Sequence, residues 1–425
     1  MILEHRDCAS LVIFANFASE VAVDLREAEV VREWSARASR ELWLARPGDI
    51  LVTPVPLTDS FTHYVGSLLG VPHGSVHVLT VPVTPGTSMA DEVRKAGVLP
   101  LLRDLVLRRP GIGLLPLALD ASTTSLASDL GIPVVPYAPG RDLTASGAVG
   151  SAAVLNTKTG FRSDAERIGM RLPRARVCTG TELQRTVRDL LDSHPRLVVK
   201  PDRSAGGKGL RFVSRGDPVT TQVSERSGLW VVEEDVGPGI SVSAQLTVEE
   251  QGPRTLFAGT MRVREGAFTG YVSPPPGVGH DVLKELQAWG LGLGRRLRAS
   301  GYLGPFDVDA VLAHDGTLYA TECNVRRTAT TTPYAMVSRL EGQDSGHFAG
   351  AWLIDHRHCS TDHGDFEKVR RILRSTRLAY DPDRGEGIVL YSDMPGGGTP
   401  LCYAVIAPEH ERLFALEADL ADVLS

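Results

Sequence analysis

Lysine is scarce in this chain, and so is any surplus of positive charge. Only six of the 45 basic residues are lysine, and the formal net charge is −6. A protein whose main task is to wrap nucleic acid usually carries a basic surplus, so we expect no nucleic-acid partner. In an arginine-rich background, each lysine that is present carries more information than usual.

Cysteine pairs and long apolar runs are missing as well. The five cysteines lie far apart and include no CxxC pair, so neither a disulfide framework nor a zinc ribbon is indicated. The sequence contains no run of about 18 apolar residues, and its first 20 residues lack a signal-peptide cleavage pattern. We therefore expect a cytoplasmic protein with free thiols and no membrane partner.

The first 150 residues alternate between short apolar runs and amphipathic stretches. Uninterrupted apolar strands separated by helices are typical of a parallel, doubly wound sheet. No GxGxxG follows the first apolar run, so a dinucleotide site is not indicated. We predict strands over 10–17, 49–57, 75–83, 112–120 and 132–139, and helices over 25–45, 58–70, 88–109 and 121–131.

The rest of the chain divides into two further parts. Small residues over 143–160 indicate a connection, and we predict domains over 1–150, 151–348 and 349–425. The middle part has the pattern of a mostly antiparallel α+β domain. Its predicted helices are 158–170, 181–193 and 280–299, and its predicted strands are 196–200, 210–214, 229–233, 241–249, 255–263, 306–313 and 317–323. In the tail we predict helices over 365–377 and 408–424 and strands near 387–392 and 401–407.

The stretch VVKPDRSAGGKGLRFV, residues 198–213, has the composition of a phosphate site. A P-loop is excluded because Lys208 precedes glycine rather than Ser or Thr, and a strand pattern rather than a helix follows. A kinase glycine loop is excluded because Lys200 comes before the turn rather than after it. We predict a hairpin flap whose glycine amides and two lysines contact phosphates. The alternative is a surface hairpin with a solvated lysine.

A second polar cluster lies further along the chain, on two apolar strands. One strand carries Asp307 and Asp309, and the returning strand carries Glu322 and Asn324. Residues two apart on a strand share a face, so this cluster forms an oxygen-rich site that suits Mg²⁺. Arg326 continues the alternation and can reach a phosphoryl group in transfer. The alternative is a surface ion-pair cluster, which is disfavoured because carboxylates in apolar strands are costly without a cation.

Four segments, in this order, resemble the ATP-grasp superfamily. They are LNTKTGFRSDAERIGMRLP at 155–173, the flap with Lys200, WVVEED at 230–235, and DVDAVL followed by ECNVR. The segments SVSAQL, RRTATTTPYAM and GEGIVLYSDM resemble, more narrowly, the pheganomycin-type peptide ligases. The resemblance implies an α/β fold: an N-terminal doubly wound pre-ATP-grasp domain, a two-lobed α+β ATP-grasp core and a small α+β C-terminal domain.

The same resemblance implies ATP and Mg²⁺ as cofactors. Lys158 and Lys200 would contact the phosphates, and Glu233 or Glu234 would accept from the adenine amine. Ser241 or a backbone carbonyl would replace a ribose-binding carboxylate. The implied nucleotide-binding residues are Lys158, Lys200, Ser204, Gly206, Gly207, Lys208, Glu233, Glu234, Asp235, Val236 and Ser241. The implied metal ligands are Asp309, Glu322 and Asn324; Asp307 is either an alternative ligand or a residue that supports the ligands without touching the metal. The implied catalytic residues are Arg326, Lys200 and, by a looser alignment, Arg262.

The chemistry implied by the resemblance is ATP-dependent ligation of a carboxylate to an amine through an acylphosphate, with release of ADP and phosphate. The partners would be a small-molecule carboxylate near Arg326 and Arg327 and a peptide amine, in the biosynthesis of a peptide natural product or antibiotic. Two alternatives stay open: a ligase of two free amino acids or other small molecules, and a non-catalytic ATP-binding regulator. A homodimer is the oligomer we would expect.

Overall fold

The computed structural model describes residues 8–217, 228–342, 350–357, 365–394 and 400–424. These residues form three sheets, with twelve α-helices and one 3₁₀ helix. None of the described helices is both long enough and apolar enough to cross a membrane. Cys8, Cys178, Cys323 and Cys402 are free thiols, and Cys359 lies outside the described residues.

A parallel sheet organises the N-terminal part. Its strands are β1 (Ser10–Phe14), β2 (Ile50–Thr53), β3 (His77–Thr80) and β4 (Ile112–Pro116). The accompanying helices are α1 (Ala28–Ala36), the 3₁₀ helix Arg37–Leu44, α2 (Asp59–Leu69), α3 (Met89–Lys95), α4 (Leu99–Leu107) and α5 (Ala121–Leu130). In the order β3-β2-β1-β4, the fourth strand lies on the other side of β1 from β2 and β3, so right-handed crossovers cover both faces. The prediction of a doubly wound sheet is confirmed.

Three local predictions in this part need correction. The helix predicted over 88–109 is two helices, because Gly97 between them has a left-handed φ of 68°. The helix predicted over 25–45 changes to 3₁₀ geometry at Arg37. The strand predicted over 132–139 makes an isolated bridge to β4, because its prolines offer no N–H to a ladder.

The middle of the chain begins with two helices and a small antiparallel sheet. Its elements are α6 (Ala148–Leu155), α7 (Lys158–Arg167), β5 (Ala175–Thr179), α8 (Leu183–Leu191), β6 (Arg196–Pro201), β7 (Arg211–Ser214) and β8 (Leu229–Glu234). The strand order is β5-β8-β6-β7, and the hairpin β6–β7 carries the predicted flap at its turn, residues 202–209. The sequence did not predict α6, which lies in the stretch read as a connection, or β5, whose mostly exposed residues lack an apolar alternation.

A large antiparallel sheet forms the rest of the chain. Its strands are β9 (Gly239–Glu249), β10 (Gly252–Arg264), β11 (Ala267–Ser273), β12 (Gly304–Ala313), β13 (Leu318–Asn324), β14 (Ala351–Arg357), β15 (Gly387–Leu390) and β16 (Leu401–Ala407). The helices are α9 (His280–Ala299), α10 (Thr331–Leu340), α11 (Phe366–Ser375) and α12 (His410–Val423). The order β13-β12-β9-β10-β11-β14-β16-β15 joins the C-terminal strands to the same sheet as the acidic hairpin β12–β13. The predicted boundary at 348 lies outside the described residues.

The N-terminal and C-terminal parts pack directly on each other. The indole N–H of Trp43 donates to the carbonyl of Tyr391 at 3.0 Å. The rings of Phe61 and Phe366 pack edge to face, with their centres 5.6 Å apart. Both carboxylate oxygens of buried Asp393 accept hydrogen bonds from Thr58 at the start of α2. These contacts join segments more than 300 residues apart and brace the N-terminal wall of the site described next.

Candidate functional site

A cavity of about 860 Å³ is bounded by both antiparallel sheets and by the N-terminal part. Most of the predicted site residues line it: Lys158, Lys200, Ser204, Gly206, Gly207, Glu233, Glu234, Asp235, Val236, Ser241, Asp307, Asp309, Glu322, Asn324, Arg326 and Arg327. Lys208 and Arg262 are not among its lining residues. The fold thus brings four separate sequence segments to one enclosed space.

Lys158 connects the flap to the acidic hairpin. It is the first residue of α7, whose preceding Thr157 caps the helix by accepting from the N–H of Gly160. The buried Nζ of Lys158 donates to Ser204 Oγ at 3.1 Å and lies 3.3 Å from Glu322. This ammonium group therefore lies between the glycine-rich turn and the candidate metal ligands.

Lys200 forms a buried ion pair with Glu233 across neighbouring strands of the small sheet. Glu233 is 3% exposed and also faces Arg162 at 3.3 Å. Arg162 was not predicted; it lies one turn into α7, and its distance in sequence from β8 gave no sign of the contact. With two cations beside it, the Glu233 carboxylate is fully compensated.

The segment after Glu233 forms the other end of the cavity. Glu234 accepts from the backbone N–H of Arg174 at 2.8 Å and lies 3.3 Å from His194. The N–H of Asp235 donates to the carbonyl of Arg196, and the backbone then passes along the cavity at Val236. Ser241 on β9 lines the cavity beside this segment.

The glycines of the flap allow it to lie against the turn between β10 and β11. Gly207 has a φ of 78°, and a Cβ built there would come 2.0 Å from the carbonyl oxygen of Gly266. Only glycine fits this position. Lys208, next in the chain, points away from the cavity and pairs with Glu33 of α1 at 3.3 Å.

The acidic hairpin gathers its polar side chains by strand register. Asp307 lies opposite Asn324, and Asp309 lies opposite Glu322. Asp307 accepts from the N–H of Asn324 at 2.7 Å, from its Nδ2 at 2.9 Å and from Gln245 Nε2 at 3.1 Å. Burial raises the pKa of Asp307 to about 6 despite these bonds. Asp307 thus positions Asn324 and Gln245, the latter a residue that the sequence did not point to.

Asp309 and Glu322 have contrasting environments. Asp309 Oδ1 is buried and has no hydrogen-bond partner, and burial together with the neighbouring Asp307 and Glu322 raises its pKa well above the ordinary value. For Glu322, burial opposes ionisation, but Lys158 and Lys200 outweigh it and lower the pKa. One carboxylate oxygen of the hairpin, Asp309 Oδ1, therefore has no hydrogen-bond donor in the described part of the protein.

The donor set fits Mg²⁺. Asp309 offers an unpartnered buried oxygen, and Glu322 and Asn324 add a carboxylate and an amide at the cavity surface. Within the described part of the chain, no group of three or more His, Cys, Asp or Glu side chains is arranged to hold a metal ion. Mg²⁺ usually takes one or two carboxylates and shares its other positions with water and phosphate, which matches this set.

Two buried arginines complete the cavity. Arg326 donates to Asn156 Oδ1, an unpredicted contact that holds the guanidinium against the start of α7. Arg327 pairs with Glu41 of the 3₁₀ helix and donates to the carbonyl of Pro116 at 3.1 Å. Arg327 therefore anchors the hairpin to the N-terminal part while still lining the cavity.

The structure does not bring Arg262 to the cavity. Its guanidinium contacts Asp355 at 2.7 Å and Glu417 of α12, while the adjacent residues Met261 and Val263 line the cavity instead. Alternate residues of a strand face opposite sides of a sheet, and Arg262 lies on the side of the C-terminal helix. The predicted phosphate contact at this residue is therefore replaced by a link between β10, β14 and α12.

Comparison with known proteins supports this architecture. Residues 38–132 match the family described as the Pre ATP-grasp domain, and residues 368–420 match the PGM1 C-terminal domain. The chain is similar to carboxyaminoimidazole ribonucleotide synthase from Aspergillus clavatus, solved with ATP (12% identity, 98% of each chain covered, TM-score 0.61). No curated protein matches the chain.

Two biotin carboxylases are also similar in structure. The enzyme from Campylobacter jejuni is 13% identical, with 98% of this chain and 91% of that chain covered and a TM-score of 0.59. The biotin carboxylase domain of Hydrogenobacter thermophilus 2-oxoglutarate carboxylase, solved with MgADP and bicarbonate, is 11% identical, with 98% and 90% covered and a TM-score of 0.58. The fold is that of the ATP-grasp proteins, with a pre-ATP-grasp domain and a C-terminal domain, as predicted.

Proposed function

We propose that the protein is an ATP-dependent ligase that joins a carboxylate to an amine through an acylphosphate, releasing ADP and phosphate. One observation carries the proposal: a single cavity is lined by two buried lysines, an oxygen-rich hairpin and a buried arginine. Phosphoryl transfer needs this combination, because it depends on positioning and on neutralising charge rather than on covalent protein chemistry. The ATP and MgADP in the names of the similar structures agree with it.

In this proposal the nucleotide lies between the flap and the segment after β8. Lys158 and Lys200 bind phosphate oxygens, and the amides around Gly206 and Gly207 approach the phosphates. Glu233 or Glu234 would accept from the adenine amine; Glu233 is held by Lys200 and Arg162, and Glu234 by the N–H of Arg174 and by His194. The backbone at Asp235 and Val236 borders the adenine edge, and Ser241 lies where the ribose would be held.

Asp309, Glu322 and Asn324 would hold Mg²⁺, which supplies charge neutralisation between the phosphates and the reacting carboxylate. Asp307 keeps the amide of Asn324 in place through two hydrogen bonds. Arg326 provides a fixed positive charge for the phosphoryl group in transfer. We assign no catalytic role to Arg262, since its guanidinium is bound by Glu417 and Asp355.

The proposed reaction has two steps. A carboxylate oxygen attacks the γ-phosphorus as the bond to the ADP oxygen breaks, and the amine then attacks the acyl carbon as the bond to phosphate breaks. The phosphate leaves with the electron pair, and the amine loses a proton. Because an acylphosphate hydrolyses readily, the flap seated on Gly266 would exclude water during the reaction.

The finer proposal is that the acid is amino-acid-like and the amine is the N-terminus of a peptide, in the biosynthesis of a peptide natural product. It rests on the resemblance of segments such as RRTATTTPYAM to the pheganomycin-type peptide ligases, and Thr328 and Thr330 of this segment line the cavity. A small-molecule acid, a cytoplasmic location and a homodimer belong to the same proposal. Ligation of two free amino acids is the competing assignment.

The test is mass spectrometry of the purified protein with ATP, Mg²⁺ and a panel of amino acids, with and without short peptides. A condensation product together with ADP and phosphate would support the ligase, and its mass would show whether the amine is a peptide. AMP and pyrophosphate would contradict the acylphosphate route. Tight ATP binding without a product across the panel would favour a regulatory ATP-binding protein.

A further inference from the structure

Arg40 is a buried cation for which the fold supplies no counter-ion. It lies on the 3₁₀ helix Arg37–Leu44, is 5% exposed, and places its guanidinium 4.7 Å from the ring centre of Phe17. Its Nε is buried without a hydrogen-bond partner. Among the described residues, Arg40 forms no ion pair and donates no hydrogen bond.

The carboxylates closest in the chain are already engaged. Glu41 accepts from Arg327 and from Thr332, and Glu33 pairs with Arg37 at 2.7 Å. Leaving a buried charge uncompensated is strongly unfavourable. A fold that retains such a charge beside a cavity is expected to gain a compensating interaction from a ligand.

Arg40 faces the same cavity as the candidate active site. Arg327 also lines this cavity, and its Nη2 is likewise buried without a partner. Since Glu41 already neutralises Arg327, this corner contains one uncompensated positive charge and two buried nitrogen atoms without a hydrogen-bond partner, Arg40 Nε and Arg327 Nη2. One monoanionic carboxylate matches that charge and can accept from both guanidinium groups.

We propose that Arg40, assisted by Arg327, binds a second carboxylate that does not react. The inference rests on the proposed ligase function and specifies its substrate class: one of the two reactants carries a free carboxylate besides the reacting groups. That carboxylate belongs either to the amine component, as in an amino acid or the C-terminus of a peptide, or to a dicarboxylic acid.

The first experiment needs no turnover and uses Arg40→Met, with Arg32→Met at an exposed position of α1 as the matched control. Removing an uncompensated buried charge should raise the thermal midpoint by about 2–4 °C in anion-poor buffer. Sodium acetate, compared with sodium chloride at equal ionic strength, should stabilise the wild-type protein and the control but not Arg40→Met. Equal responses to acetate in all three proteins, or a lower midpoint for Arg40→Met, would overturn the proposal.

The second experiment identifies the source of the carboxylate. For an amino acid or dipeptide amine, Arg40→Met should raise KM by about 10- to 100-fold, the range expected for a lost charged hydrogen bond. The corresponding carboxamide should show no such difference between the variant and the wild type, and KM for ATP should not change. If the effect appears instead with dicarboxylic but not monocarboxylic acids, the carboxylate belongs to the acid component.

The two proposals can fail separately. If acetate stabilises the protein through Arg40 but no ADP-forming ligation is found, the anion-site proposal is supported and the ligase proposal is rejected. Ligation that is insensitive to Arg40→Met for every carboxylate-bearing reactant would keep the ligase and reject the anion site. Arg40→Lys, which keeps the charge but not the planar donors, should recover part of the lost affinity.

Discussion

The two sides of the cavity handle buried charge in opposite ways. On the flap side, Lys200, Glu233 and Arg162 compensate one another, and Glu233 has a cation on each oxygen. On the hairpin side, Asp309 keeps a buried oxygen without a partner, and burial raises its pKa. The charges on the first side are balanced within the protein, whereas the second side keeps an unpartnered oxygen, which a cation would satisfy in the proposed function.

This difference indicates how each side responds to ligands. A phosphate on the flap side must draw Lys200 away from Glu233, so binding there exchanges one ion pair for another. A cation on the hairpin side meets an oxygen that no protein group satisfies, so binding there adds an interaction. Substitutions should therefore affect stability mainly on the flap side and activity mainly on the hairpin side.

The largest expected effect is that of Asp309→Asn. Loss of this ligand should lower Mg²⁺-dependent ATP turnover by about 10³-fold, equivalent to about 4 kcal/mol of transition-state stabilisation. The free energy of unfolding without Mg²⁺ should not fall, since the substitution removes a carboxyl group whose ionisation is disfavoured by burial. ADP release and urea denaturation measure the two quantities.

Asp315→Asn is the matched control, because Asp315 is exposed in the turn of the same hairpin. Its turnover should equal that of the wild type. Retention of wild-type turnover by Asp309→Asn would place the metal ligand elsewhere and remove the contrast between the two sides.

Lys200→Met comes next in size. It leaves Arg162 as the one cation beside buried Glu233 in the described structure, and loss of the charged hydrogen bond from Lys200 should lower the free energy of unfolding by about 1.5–3 kcal/mol. The double variant with Glu233→Gln should regain much of that stability but not ATP affinity. If Lys200→Met alone were as stable as the wild type, the ion pair between Lys200 and Glu233 would contribute little to the stability of the protein.

Arg262→Met should affect stability without affecting catalysis. Its guanidinium is part-buried between Asp355 and Glu417, so its loss should lower the free energy of unfolding by about 1–3 kcal/mol. The kinetic constants of the folded variant should match those of the wild type. A reduced kcat in Arg262→Met protein that is fully folded would support the catalytic role that the sequence resemblance implied.

Lys208→Ala should have the smallest effect. Lys208 forms an exposed pair with Glu33, and such pairs contribute about 0.2–1 kcal/mol. KM for ATP should stay unchanged if the side chain keeps its position outside the cavity. A marked rise in KM would indicate that the flap turns Lys208 inward when nucleotide binds.

The site residues that could be predicted share a local signal. Lys200 ends an apolar strand before glycines, and Asp309 and Glu322 interrupt apolar strands, so each conflicts with its immediate neighbours in sequence. The structure places all three on the cavity. Such conflicts are visible without knowing the fold, which is why the hairpin and the flap could be found from the sequence.

Arg262 shows where local patterns fail. Met261 and Val263 line the cavity and Arg262 faces the other way, so alternation holds in β10, but the sequence alone does not tell which of the two faces borders the cavity. Arg40 shows a different limit, because its significance depends on the absence of a partner among residues distant in sequence. Neither property can be read from a single segment.

Secondary structure was missed where tertiary packing overrides local preference. Helix α10 begins with two threonines, which are weak helix formers, and has no side-chain cap, yet all but its last two residues are buried. Strand β5 is mostly exposed and is defined by its pairing with β8. In contrast, α9 has strong amphipathic periodicity, and its predicted limits of 280 and 299 match the structure.

The hydrogen bond from Trp43 to Tyr391 also has a consequence for how the chain is made. Its two ends are 348 residues apart. At typical rates of synthesis, the ribosome needs about 20–70 s to proceed from one to the other. During that interval the apolar surface around Trp43 and Phe61 has left the ribosome, but the C-terminal elements that bury it have not yet been made. Newly made chains should therefore rely on chaperones until α11, β15 and β16 are synthesised.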